Sequence, residues 1–300
     1  MKFNYIKYQG EIIPIYTQDN KKNTTFLFLH GINSSSDFID KIKNLQHNFN
    51  IVALNFPGSK YCTDIKPEDI KLENWINVAK EVLKNIKSKN VVIVAHSMAG
   101  GVAVELANDK RVKQVIMLST INPSMQNNKS YGLLKSVIGQ GVDGNPTFLG
   151  KLIMFGASFT KKGKRLLESF SRKGKWYNLL AGYVLNNEFM KQLDAKYRAC
   201  ANKLTFIIGE NDNIIGTEEF TNYAQSLNCP NYILGKTHSP INDNPDVLNF
   251  FFNHFMQTKK RFWFQKFTNF QKNIIDIKTN NEADNEEINE LDNILKDEEK

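Results

Sequence analysis

The chain of 300 residues is poor in several things, and each shortage removes a class of answer. It has three cysteines, Cys62, Cys200 and Cys229, far apart and without a CxxC pair. A disulfide framework and a zinc ribbon are therefore not expected, and a reducing cytoplasm is the simpler setting. No apolar run is long enough to span a bilayer. The opening Met1–Tyr16 has no uninterrupted apolar stretch of the kind a secretory signal needs, so none is expected. Glycine (17) and proline (8) are too few for a collagen-like or low-complexity chain. Histidine is scarce as well, with five residues to share among all sites. No P-loop is present, and no His, Cys and carboxylate residues stand at metal-ligand spacing. No metal or cofactor is therefore expected.

What is present is core material and positive charge. Hydrophobic residues make up 41% of the chain, and the net charge is +8. Basic proteins often meet nucleic acid or anionic membrane. The charge is mostly lysine amid abundant asparagine, a composition that AT-rich genomes also produce, so the global figure leaves both readings open. No recognised nucleic-acid motif accompanies it, and no nucleic-acid partner is expected.

Five short runs are almost continuously apolar: Phe26–Leu29, Ile51–Leu54, Val91–Ala95, Val115–Leu118 and Leu204–Ile208. Continuous patterns fit strands covered on both faces, as in a parallel sheet. Helical periods lie between them. Leu72, Trp75, Ile76, Ala79, Val82, Leu83 and Ile86 share one face. Further helices are predicted from the Ser97 turn, over Glu218–Leu227, and over Asp246–Met256 behind Pro245. Phe3–Tyr8 and Ile12–Tyr16, separated by Gly10, read as an edge hairpin. The alternation predicts an α/β fold, a mostly parallel central sheet flanked by helices.

Residues 1–121 and 201–257 carry that alternation. Between them, 122–200 reads as a helical insertion, a lid or cap, with 13 Lys and Arg against 4 Asp and Glu. It also holds many large apolar residues, among them Leu152, Phe155, Phe159, Trp176 and Tyr177, which fit either an acyl or aromatic substrate or plain packing onto the body. The tail, 258–300, opens with Lys259-Lys260-Arg261. It continues with Trp263, Phe267, Phe270, Ile274 and Ile277 at helical spacing, and turns acidic from Glu282. This stripe, and Lys161–Arg165 with Arg172–Lys175 in the insertion, are candidates for peripheral contact with an anionic membrane. The rival readings are docking of the stripe onto the domain and a solvated basic face. Gly139–Gly144 fits G-x-G-x-x-G but follows no convincing strand, so a dinucleotide site is not expected there.

The chemistry concentrates in Val94-Ala95-His96-Ser97-Met98-Ala99-Gly100-Gly101, directly after a buried strand and opening a helix. A serine on so sharp a turn projects its hydroxyl above the sheet and needs small neighbours two residues away on either side. Here these are Ala95 and Ala99, so the strict G-x-S-x-G pattern fails at both ends by one methyl each. The segment resembles the nucleophile elbow of the α/β-hydrolase family. Three more segments agree: Phe26–Asn33 resembles its strand and His-Gly oxyanion loop, Gly209–Ile215 its acid loop, and Gly235–Pro240 its histidine loop. The order Ser97, Asp212, His238 is the family's order, and the likeness covers about residues 1–257 apart from the insertion.

The resemblance implies a serine hydrolase without a cofactor. Ser97 would be the nucleophile, His238 the general base and Asp212 its orienting acid, with the N–H groups of Ile32 and Met98 as the oxyanion hole. Of the other histidines, His30 lies in the oxyanion loop and His96 beside Ser97, while His47 and His254 fall in predicted helices. Glu210 is a second candidate acid, and Asp243 and Asp246 are read as starting the last helix. No Asp stands at the nucleophile position, which argues against epoxide or haloalkane hydrolysis. An acyl ester, including an acylglycerol or lysophospholipid, is the favoured substrate class. Thioester, peptide and C–C bond cleavage, and a non-catalytic scaffold on the same fold, remain the alternatives.

Overall fold

A computed structural model of the protein describes residues 3–62, 65–138, 155, 159 and 175–255. Eight strands form one sheet: β1 (Phe3–Tyr8), β2 (Glu11–Gln18), β3 (Thr24–Leu29), β4 (Asn50–Leu54), β5 (Asn90–His96), β6 (Val112–Leu118), β7 (Leu204–Ile208) and β8 (Asn231–Ile233). Their order across the sheet is β1-β2-β4-β3-β5-β6-β7-β8. The β1–β2 hairpin turns at Gln9 and Gly10, both at positive φ, and β2 also runs antiparallel to β4. Every other neighbouring pair is parallel.

The continuous apolar runs explain the layering. Val91–Ala95 of β5 and Phe26–Leu29 of β3 are almost wholly inaccessible. Both faces of the sheet centre are therefore covered, as parallel strands joined by helical crossovers require. Helix α1 (Leu72–Asn85) buries Leu72, Trp75, Val78, Ala79, Val82 and Leu83, one stripe at helical spacing. Each buried Leu or Val side chain among them contributes about 1.5–3 kcal/mol on burial, before the entropy of ordering is set against it. Helix α2 (Gly100–Leu106) follows the Ser97–Ala99 turn and buries Gly100, Gly101, Val102, Ala103, Val104 and Leu106.

The insertion joins β6 to β7, adjacent parallel strands. Its described parts include α3 (Lys129–Ile138), the turns around Tyr177–Val184, and α4 (Asn187–Ala199). Helix α4 serves the body. Its Tyr197 is fully buried, stacks on Phe206 of β7 at 6.0 Å, and donates its hydroxyl to the Ile121 carbonyl at 2.7 Å. Helix α5 (Thr217–Ser226) leads to β8. The Gly139–Gly144 run lies outside the described residues, but α3 precedes it directly, so it follows a helix.

Two compact units divide between Asp243 and Asn244. In the second, α6 (Pro245–Phe255) carries buried Val247, Leu248, Phe251, Phe252 and Phe255, with the Phe251 and Phe255 rings 5.2 Å apart on successive turns. The basic runs from Lys161 to Lys173 and the whole of 258–300 lie outside the described residues. No helix among the described residues is long and apolar enough to cross a membrane. Cys62, Cys200 and Cys229 are unpaired thiols, and burial pushes Cys200 and Cys229 up to about 11.

Candidate active site

Strand β5 delivers the site's first residue. It ends at His96, and the chain then bends so sharply that Ser97 takes φ +56°, a left-handed conformation costly for any residue with a Cβ. The Ser97 carbonyl is held by the N–H of Ile121 at 3.1 Å. Ala95 and Ala99 are completely buried, so a methyl at each position fits where glycine is usual. Ser97–Ala99 is a tight helical turn, and the first N–H groups of such a turn have no acceptor within it. The N–H of Met98 is one of these.

Asp212 and His238 arrive on neighbouring loops that continue the β7–β8 ladder. The N–H of Leu234 donates to Ile208, that of Glu210 to Gly235 at 2.9 Å, and that of Asn211 to Lys236 at 2.8 Å. The two loops run so close that a Cβ on Gly209 would lie 2.0 Å from the Thr237 carbonyl oxygen. Only glycine fits there. Asp243 accepts the N–H groups of Lys236 (2.9 Å) and Thr237 (2.5 Å), so it closes the histidine loop and does not open the last helix. Asp246 does lie in the first turn of α6.

The three side chains form one hydrogen-bonded chain. His238 Nε2 lies 3.0 Å from Ser97 Oγ, and His238 Nδ1 lies 2.9 Å from Asp212 Oδ2. The Asp212 side chain is inaccessible, while that of His238 is 18% exposed. Asp212 Oδ1 accepts the N–H groups of Ile214 (3.0 Å) and Ile215 (3.1 Å). Burial would raise its pKa, but the His238 hydrogen bond and the Ile215 N–H hold it below the ordinary carboxylate value. An ionised Asp212 can only accept, so His238 carries its proton on Nδ1 and turns a lone pair towards the Ser97 hydroxyl. Glu210, the other candidate acid, is exposed.

The Gly31–Ile32 loop is fixed from below. His30 is fully buried. Its Nε2 accepts the N–H of Phe56 at 3.0 Å, which leaves Nδ1 to donate to the Gly31 carbonyl at 2.7 Å. Burial, the largest influence, depresses its pKa to about 4, so the ring is neutral. Phe56 stacks on Trp75 at 4.3 Å, and Trp75 meets Trp176 edge-on at 6.1 Å. Trp176 in turn donates its indole N–H to Asn33 Oδ1 at 2.6 Å, tying the insertion to the residue after Ile32. A cleft of about 500 Å³ opens beside this loop, with Asn33, Asp37, Lys60 and Trp176 in its wall. Among the described residues, no group of three or more His, Cys, Asp or Glu could hold a metal ion.

The structure thus brings Ser97, Asp212, His238 and the Gly31–Ile32 loop together. His254 lies in α6, but His47 occupies a loop instead of a helix. Sequence reasoning missed the part played by four residues at the site. One is His96, whose Nε2 stands 2.8 Å from the His238 carbonyl. The others are Asp243 in its capping role and the Trp176–Asn33 link. A polar residue ending a fully apolar strand was the one available signal, and it pointed to His96.

Comparison with known proteins agrees with this architecture. The profile of the alpha/beta hydrolase fold matches residues 24–262, and the chain belongs to that family. A Mycoplasma genitalium protein named "Putative esterase/lipase 2" is 23% identical over 255 residues, covering 80% of this chain and 92% of its own. Among solved structures, a haloalkane dehalogenase loop variant from Bradyrhizobium elkanii superposes with a TM-score of 0.64 at 13% identity, covering 87% of this chain and 99% of its own. A thioesterase domain from the curacin biosynthetic pathway gives 0.60 at 13% identity, covering 84% of this chain and 99% of its own. At such identities the structural likeness speaks for the fold alone. The protein is a hydrolase of the α/β fold with esterase/lipase relatives.

Proposed function

We propose that the protein is a serine esterase that cleaves a carboxylic ester through an acyl-Ser97 intermediate. The observation that carries this reading is the unbroken chain from Ser97 Oγ through His238 to the buried Asp212 carboxylate. His238 Nε2 takes the hydroxyl proton as Ser97 Oγ bonds to the acyl carbon, and the carbonyl oxygen becomes an oxyanion. The N–H groups of Ile32 and Met98 stabilise that charge, each such donor being worth about 3–4 kcal/mol in related chemistry. Collapse breaks the bond to the alcohol, which leaves with the proton from His238. Water then repeats the sequence on the acyl-enzyme, releases the acid and restores Ser97. Asp212 keeps the Nδ1–H tautomer and stabilises the imidazolium throughout.

The substrate class follows from two supports. The relative from M. genitalium carries an esterase/lipase name. The cleft beside the oxyanion loop has a polar wall at Asn33, Asp37 and Lys60, suited to a hydroxyl-bearing alcohol portion. An acylglycerol or lysophospholipid joins such an alcohol to an acyl chain. Contact of the basic stretches with an anionic membrane surface belongs to the same proposal.

The test is a p-nitrophenyl ester series from acetate to palmitate, with monoacylglycerol beside it, on wild type and Ser97→Ala, with and without anionic vesicles. Wild-type turnover lost by at least about a thousandfold in Ser97→Ala, with thermal unfolding nearly unchanged, is the expected result. Equal activity in both would overturn the assignment. Silence of wild type towards every ester and towards a serine-directed phosphonate would favour a scaffold. Silence with phosphonate labelling would favour a different scissile bond.

A further inference from the structure

The scheme above leaves unused the titratable group nearest Ser97 in sequence. His96 ends β5, is 8% exposed, and lies with its ring 4.9 Å from that of His238. Its Nε2 is 2.8 Å from the His238 carbonyl oxygen. A carbonyl can only accept, so His96 donates from Nε2. We propose that His96 is the positioning residue of the general base: it grips the main chain of His238 and so sets where that imidazole stands relative to Ser97 Oγ. The inference rests on the reading of Ser97 and His238 as nucleophile and base.

Three features carry it. The first is closure. Adjacent residues, His96 and Ser97, bond to the two ends of one residue: His96 Nε2 to the His238 carbonyl, and Ser97 Oγ to the His238 ring at 3.0 Å. Asp212 holds the same ring through Nδ1, and the His96 contact adds a hold on the main chain that carries the ring, fixing its place against the elbow. The second is that the main chain of His238 has a fastening of its own, between those at Thr237 and Ser239. Gly235, Lys236 and Thr237 are held by Glu210, Asn211 and Asp243, while the His238 carbonyl itself is held by His96. The third is rigidity. The His96 ring lies nearly parallel to that of Phe38, at 6.0 Å and 19°. Its Nδ1 is buried without a hydrogen-bond partner among the described residues.

The charge state agrees. Burial, and then the neighbouring His238, depress the His96 pKa to about 3. The ring is therefore a neutral donor, and adds no positive charge beside the imidazolium that His238 becomes during turnover.

Two variants test the grip. His96→Phe keeps an aromatic ring and removes the donor. His96→Gln places an amide N–H close to the position of Nε2. Three quantities are read: kcat and KM on the best ester, the rate of Ser97 labelling by a fluorophosphonate, and the low-field proton resonance of His238 Nδ1–H. In His96→Phe, kcat is expected to fall about tenfold, the loss of one hydrogen bond at the transition state, with KM within about twofold. Labelling should slow in parallel and the resonance broaden or vanish. His96→Gln should return kcat to within about threefold of wild type. A His96→Phe enzyme with wild-type kcat would overturn the proposal, as would a His96→Gln enzyme as slow as His96→Phe. If wild type neither turns over nor labels, the esterase reading fails by itself and the resonance still decides. Present in wild type and His96→Gln but lost in His96→Phe, it upholds the grip; unchanged in all three, it refutes it.

Discussion

Gly31 abuts Ser97 so closely that a methyl on its Cα would stand 2.6 Å from Ser97 Cβ and 3.2 Å from Ser97 Oγ. Ser97 Cβ is fixed to the main chain and cannot swing aside, and the His96 carbonyl oxygen would lie 3.2 Å away, so the backbone must shift to admit it. The peptide that would move carries the N–H of Ile32. Gly31→Ala is therefore expected to lower kcat by at least about a hundredfold, since a displacement near 1 Å at the reacting atoms has that effect. Ester hydrolysis and phosphonate labelling, measured together, check it. Activity within a few-fold of wild type would separate the 31–32 peptide from the reaction.

Asp212→Asn tests the tautomer. The two N–H donors at Ile214 and Ile215 would hold the amide oxygen where Oδ1 now lies. The amide nitrogen would then face His238 Nδ1 and donate to it. That moves the imidazole proton to Nε2, which would donate to Ser97 Oγ and could no longer accept from it. Loss of about 10⁴-fold in kcat with little change in KM is expected. A loss below about tenfold would show that Asp212 is not the orienting acid.

Stability should fall as the solution is acidified below neutrality. His30 and His96 titrate near 6.5 when unfolded but at about 4 and about 3 when folded. Between those values the unfolded chain binds protons that the native one does not. Each histidine therefore removes up to about 1.4 kcal/mol per pH unit as pH falls below 6.5. The stability is complete above that point. Asp212 acts in the same direction only at lower pH, because its folded-state pKa lies below the usual carboxylate range. Urea unfolding at pH 7, 6 and 5 should give a falling midpoint, shallower in His96→Gln. A flat midpoint in wild type would mean that these rings are protonated in the native state.

Much of this was legible in the residues. Leu204–Ile208 is β7 to the residue, because an apolar run broken only by the β-branched Thr205 fits a strand covered on both faces. β8 was not legible: Asn231–Ile233 is three residues long, with one aliphatic side chain, and takes its conformation from pairing with β7. Sequence left Asp212 and Glu210 as rival acids two residues apart. Burial separates them, and burial is a property of the fold. The spacing of Asp243 before Pro245 suits a helix start equally well. Its carboxylate turns back to Lys236 and Thr237 because those N–H groups lie at the loop it closes. His96 carried a signal without a partner, since the His238 carbonyl lies 142 residues away along the chain.

The left-handed backbone at Ser97 has a consequence for anyone selecting variants of this protein. A residue with a Cβ in that region costs roughly 1–2 kcal/mol, and glycine costs nothing of the kind. Ser97→Gly removes the strain together with the hydroxyl. With Ser97 as the proposed nucleophile, a screen that rewards heat resistance alone should drift towards an inert molecule at this position, whereas one that also demands turnover should keep a serine that the chain would fold more easily without.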